Sequence, residues 1–152
     1  MLNPLRVALA VMGLGVLLSA CADDGSPVAA APSTAVVSPA EFQALLAAAD
    51  PDKGQVLFLQ CRACHSLEAG GANKVGPNLH GVFGRKAGLA PGYAYSDAIT
   101  QSSIVWSAAT LDDWLARPSD FLPGNRMVFV GIRSPGDRAS LIAYLQRETG
   151  AK

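Results

Sequence analysis

The chain has 152 residues, which bounds it to one domain with a tail or two. Twelve basic side chains are balanced by twelve acidic ones, so no charge excess points to nucleic acid as a partner. Half of the residues are hydrophobic, a share raised by Ala and by an apolar N-terminal run; few segments alternate with the period of a strand, and Ala-, Leu- and Arg-rich stretches predict an all-α fold.

Met1 to Leu18 carries one early cation, Arg6, ahead of an apolar run from Val7 to Leu18. That run is too short, and too interrupted by Gly13 and Gly15, to be a comfortable membrane span; it fits the apolar core of a secretory signal peptide. It ends in Leu18-Ser19-Ala20-Cys21, which resembles the bacterial lipobox, where the peptide is cut before a Cys that becomes the lipid-modified first residue. Residues 1–20 are therefore expected to be a lipoprotein signal peptide, with an ordinary signal peptide or an uncleaved anchor as alternatives. Lipid attachment at Cys21 would hold the protein on the periplasmic side of a bacterial membrane, since several acyl chains anchor stably where one does so marginally. From Ala22 to Val37 the composition shifts to Ala, Pro, Ser, Thr and Val, and no helical period survives Pro27 and Pro32. Residues 21–37 thus read as a lipidated Cys and a flexible tether, spanning on the order of 20–25 Å as a coil.

Ser38-Pro39-Ala40-Glu41 has the form of a capping box with Pro at the first helical position, and Phe42, Leu45, Leu46 and Ala49 share one face. Residues 38–50 are expected to form a short extra helix, either packed on the domain or extending the stalk. The main domain is expected over 51–152. Asp50-Pro51 stops the first helix and starts another, running through Val56, Leu57 and Phe58 to Cys61-Arg62-Ala63-Cys64-His65. In an exported chain, C-x-x-C-H reads as covalent attachment of one c-type haem. On one helical turn both thiols can add to vinyl groups on one edge of the porphyrin, and the adjoining imidazole is carried under the ring as an axial iron ligand. Half a zinc site and a thioredoxin-like redox pair are the alternatives. Structural zinc takes four protein ligands, and Cys21 and His80 are the only Cys and His left over. The redox pair needs a βαβ context that is not visible.

Glycines then crowd the chain at Gly70-Gly71, Gly76, Gly81, Gly84, Gly88 and Gly92. They let backbone lie close to a bulky planar ligand, and without that ligand the segment has too little core to order it. Ser96 to Gln101 reads as one short helix. Thr110-Leu111-Asp112-Asp113 reads as the cap of a helix through Trp114 and Leu115 that Pro118 ends. A Pro-Gly turn, Phe121 to Met127, delivers a Met. Ser134-Pro135-Gly136-Asp137 caps a last helix with Leu141, Ile142, Tyr144 and Leu145 on its apolar face and Gly150 at its end.

With His65, Gly76-Pro77, Trp106 and Met127 in this order, the chain from about Gly54 to Gly150 resembles a class I cytochrome c of the mitochondrial type. GPNLHGVFGRKAG (Gly76 to Gly88), APGYAYSDA (Ala90 to Ala98), LPGNRMVFVGI (Leu122 to Ile132) and LIAYL (Leu141 to Leu145) carry the likeness. The resemblance implies a class I cytochrome c fold, with thioethers at Cys61 and Cys64 and iron ligands at His65 and Met127. Pro77 would accept the other ring proton of His65 through its carbonyl. Arg85, Tyr95 and Trp106 would surround the haem propionates and Phe129 would lie at the haem edge. Gly54 and Phe58 would meet Leu141 and Tyr144 where the terminal helices cross, and His80 would sit on the surface. Three departures stand out: Trp114 replaces a usual Tyr near the Met sulfur, Ile99 replaces a usual Asn at a buried water, and the lysine ring facing partners is thin. Gln60 precedes Cys61 where Lys is usual, and Ser119-Asp120 follows Pro118 in place of two lysines.

The function implied is one-electron transfer without catalysis of its own. A monomeric, membrane-tethered carrier would shuttle electrons from a quinol-oxidising cytochrome complex to a terminal oxidase or reductase. The alternatives are a haem enzyme or sensor that binds a small ligand behind a labile Met127, and a fixed electron-entry subunit of a larger oxidoreductase.

Overall fold

A computed structural model describes residues 37–150. The expected signal peptide (1–20), Cys21 and the tether as far as Val36 lie outside the described residues. Six helices follow in order: α1 (Pro39–Ala47), α2 (Pro51–Arg62), α3 (Asp97–Gln101), α4 (Ala108–Ala116), α5 (Pro118–Phe121) and α6 (Pro135–Thr149). No strand occurs among the described residues, and one isolated antiparallel bridge joins Lys86 to Val105. No described helix is long and apolar enough to cross a membrane.

Most helix starts are set by a side chain that accepts an otherwise orphaned amide. Ser38 takes the Glu41 N–H, Asp50 those of Asp52 and Lys53, Ser96 that of Ile99, and Ser134 that of Asp137. Gly150, in the left-handed region at φ +72°, ends α6. The start of α4 differs from the expectation at Thr110. Its cap is Ser107, and Thr110 is the third residue of a reciprocal box: Ser107 Oγ accepts the Thr110 N–H (3.1 Å) and Thr110 Oγ1 accepts the Ser107 N–H (2.7 Å). Thr serves there because its hydroxyl reaches back as the usual Glu or Gln would. Pro118 does more than end α4, since it is also the first residue of α5.

The core forms where α2 crosses α6. Gly54 has no side chain, so its backbone lies against the Ser140 carbonyl and the expected Tyr144, with Leu141 buried next to Ser140. One turn on, the Phe58 ring stacks obliquely on Tyr144 at 5.6 Å. Burying Phe58, Leu141 and Leu145 stabilises the crossing by roughly 1.5–3 kcal/mol per side chain. The extra helix α1 packs on α6, with Phe42 only 3 % exposed, so it is part of the globule and does not extend a stalk. Helix α4 also packs on α6, its Leu111 and Leu115 are buried, and a buried pair, Asp112 with Arg138, joins the two helices. The long segments 63–96 and 122–134, outside this frame, form much of the wall of a large cleft.

Candidate cofactor cleft

The end of α2 and the turn that follows it bring Cys61, Cys64 and His65 to a cleft of ≈ 1140 Å³ that includes its open mouth. The His65 Nδ1–H donates to the Pro77 carbonyl at 2.7 Å. A carbonyl can only accept, so this bond fixes the tautomer and leaves the Nε2 lone pair free. Burial lowers the imidazole pKa, with the nearby Lys74 charge adding to the effect and the Pro77 bond opposing it; the ring is therefore neutral at pH 7 and able to ligate. Gly76 makes the pairing possible, because a Cβ there would collide with the imidazole ring. Burial pushes the Cys61 thiol up to about 11, with Cys64 adding a smaller push, so the free thiol is protonated at neutral pH.

The segment between α5 and α6 supplies Met127 and Phe129 to the same cleft. Asn125, which the sequence reading passed over, shapes the turn. Its Oδ1 accepts the Met127 N–H at 2.9 Å, while its Nδ2 donates to the Pro118 and Leu122 carbonyls at 2.9 and 2.8 Å. An Asn following Pro-Gly is a recognisable turn signal, so this role was within reach of the sequence. Arg126 donates to the Ala94 carbonyl and draws the 90–96 segment in.

Arg85, Tyr95 and Trp106 also line the cleft. The guanidinium of Arg85 donates to the His80 and Asn78 carbonyls (3.0 and 3.3 Å), and Tyr95 accepts the Ala90 N–H (3.4 Å) while meeting Tyr93 edge-on at 4.7 Å. Trp106 meets Trp114 edge-on at 5.4 Å, and Trp114 meets Phe121 at 5.9 Å. Ile99 and Leu111 complete an apolar interior. All nine expected cofactor residues (Cys61, Cys64, His65, Pro77, Arg85, Tyr95, Trp106, Met127, Phe129) are brought to this one cleft. His80 keeps part of its surface exposed while its inner side is bonded. It is half-buried, its amide bonded to Asn78 Oδ1 (2.8 Å) and its ring Nδ1 to the Leu67 carbonyl (3.3 Å), so Nδ1 is occupied.

The donor set suits a flat apolar ligand with an anionic edge. The lining holds two Arg and no Asp or Glu, with aromatic and aliphatic side chains across the interior. An imidazole and a thioether among the lining match the axial ligands of a haem iron, and thiols three positions apart match two vinyl groups. The residues present therefore fit a c-type haem.

Comparison with known proteins gives the same direction. The family model described as "Cytochrome c" matches residues 51–148. Cytochrome c of Cochliobolus lunatus is 48 % identical over 101 residues, covering 66 % of this chain and 94 % of the relative. Cytochrome c of Arabidopsis thaliana is 48 % identical over 101 residues (66 % and 90 %). Cytochrome c2 of Rhodomicrobium vannielii is 46 % identical over 104 residues (68 % and 83 %). Helix α1 lies outside the matched region.

Proposed function

The chain belongs to the cytochrome c family, and we propose that it is a membrane-tethered carrier, taking electrons from a quinol-oxidising cytochrome complex and passing them to a terminal oxidase or reductase. One-electron carriage with a covalent haem c is the family's activity, and the cysteines of its C-x-x-C-H run are Cys61 and Cys64. The tether, the partners and the residue roles below are our reading. The observation that supports it best is that a His65 with its Nε2 left free and Met127 belong to one cleft with both cysteines.

When bound, the haem supplies a reversible one-electron couple at its iron. In this reading Cys61 and Cys64 would fix it by thioethers, while His65 and Met127 would ligate the iron. The Pro77 carbonyl holds the imidazole orientation and raises its basicity. Met127 contributes a soft sulfur that favours Fe(II). Arg85, with Tyr95 and Trp106, balances the propionate charge where water is scarce. Trp114 and Ile99 keep the methionine side dry, and Phe129 flanks the edge where a partner docks. Because His65 and Met127 sit on separate, internally bonded segments, these two side chains would move little between oxidation states, which would keep reorganisation small.

The tether reading rests on the lipobox-like ending at Cys21 and on an N-terminal region that precedes the family match. A tether raises the effective concentration near membrane partners, which suits a surface whose cationic rim is thin. Redox titration of the membrane fraction, followed by absorption spectra, tests the whole reading. A reversible one-electron wave, a red ferric Met–iron band and release of the protein from the membrane by Cys21→Ser are expected. Ready CO binding at neutral pH without that band would instead establish the small-ligand alternative. Turnover as salt-sensitive in the anchored form as in a truncation lacking Cys21 would refute the role given to the tether.

A further inference from the structure

Arg138 is 1 % exposed and Asp112 4 % exposed, and the two meet fork to fork: Nε to Oδ1 at 2.7 Å and Nη2 to Oδ2 at 3.1 Å. Buried ion pairs seldom add net stability, because desolvation offsets the attraction, so this one calls for a different account. The remaining donor supplies it. Arg138 Nη1 donates to the carbonyls of Ile132 and Arg133, both at 3.0 Å. Those carbonyls end the segment that carries Met127. The same end is fastened to α4 by the Ile132 N–H, which donates to the Leu115 carbonyl at 2.8 Å. Gly131, at φ +94°, passes so close to the Ala116 carbonyl that a Cβ would collide with it.

The other end is fastened by Asn125 to α5, as described above. Between the two fastenings the hold comes from Met127 and Phe129, which pack toward the core, and from the Arg126 bond to the Ala94 carbonyl. Val128 is 102 % exposed and Val130 89 % exposed, so neither contributes burial. The placement of Met127 in the cleft therefore depends in part on how firmly the two ends are held.

We propose that the Asp112–Arg138 pair is a positioning device for Met127, locking the trailing end of its segment between α4 and α6. Asp112 aims the guanidinium and balances its charge, and the guanidinium in turn pins the Ile132 and Arg133 carbonyls. The inference rests on Met127 being the iron ligand.

Competition by imidazole in the ferric holoprotein tests it. An external ligand binds only the fraction of molecules in which Met127 has left the iron, so its apparent affinity rises in proportion to that fraction. Asp112→Asn keeps the shape and removes the charge, and imidazole is expected to bind about tenfold more tightly, with weakening of the red Met–iron band. Phe42→Ala, which loosens α1 and touches neither fastening, controls for lost stability and is expected to leave the imidazole affinity unchanged. Should Asp112→Asn fail to accumulate, Gly131→Ala strains the same fastening from the α4 side, and the same gain is expected. Wild-type affinity in Asp112→Asn, or in Gly131→Ala if that variant stands in, would overturn the proposal, as would an equal gain in Phe42→Ala. Absence of the Met–iron band from the wild type would instead overturn the ligand assignment on which the proposal stands.

Discussion

Replacing Gly54 by Ala sets two opposed effects against each other at the crossing of α2 and α6. In a helix interior Ala is favoured over Gly by about 1 kcal/mol. Against this, the new Cβ would land on the Ser140 carbonyl and the Tyr144 Cβ. The first of these is backbone of a helix whose Ser140, Leu141 and Ile142 are buried, so no rotation of a flexible side chain relieves the overlap. The helices must separate, which loosens the Phe58–Tyr144 stack. Overpacking of this kind costs typically 1–3 kcal/mol and sometimes more, and backbone against backbone belongs at the upper end. The net expectation is a loss of about 2 kcal/mol. Urea unfolding of the ferric holoprotein, followed by far-UV circular dichroism, reads this as a lower midpoint at unchanged slope. Gly136→Ala in the first turn of α6 is the internal control. A Cβ there meets nothing within 4 Å, so the propensity gain stands alone and the midpoint rises by up to about 1 kcal/mol in stability. A Gly54→Ala protein as stable as the wild type would show that the crossing has slack and that the close approach is not what requires Gly.

Ser107→Ala removes one arm of the α4 box and is expected to lower unfolding stability by about 1 kcal/mol, measured by the same titration. Phe42→Ala deletes the one buried side chain of α1; a core Phe usually costs 3–5 kcal/mol, but α1 can peel away and limit the loss to about 2 kcal/mol. Hydrogen exchange should then show the α1 amides opening before those of α2 and α6. Met127→Ala is expected to abolish the red ferric band and admit CO at neutral pH, and persistence of the band would assign the sulfur ligand wrongly.

The frame was legible where local chemistry dictates it. Ser38, Asp50, Ser96 and Ser134 announce helix starts because each can satisfy an orphaned amide whatever the tertiary context. Ser107 escaped notice because its partner is Thr110, a residue equally able to cap for itself. The cleft was legible because its ligand set demands fixed spacings, and C-x-x-C-H states them outright. The Asp112–Arg138 pair was not: charged residues on helices normally face water, and nothing local to 112 or 138 marks these two as buried. Whether α1 packs on the domain depends on how much of α6 remains uncovered, a quantity no window around Phe42 contains. The bond from the His80 ring to the Leu67 carbonyl was not legible either, because its partner lies thirteen positions away.

The partner that orients His65 is a main-chain carbonyl. A side-chain acceptor can be deleted by one codon change, whereas the oxygen of Pro77 survives every substitution at its own position. Only a displacement of the surrounding loop can weaken it, and Gly76, hemmed in by the imidazole itself, leaves little room for one. The two sides of the cleft are therefore unequally open to evolutionary drift. The imidazole side is buffered against point mutation, while Trp114 and Ile99, which the proposed reading sets on the methionine side, act through side chains that a single substitution changes. Divergence in electron affinity among close relatives should accordingly accumulate on the methionine side.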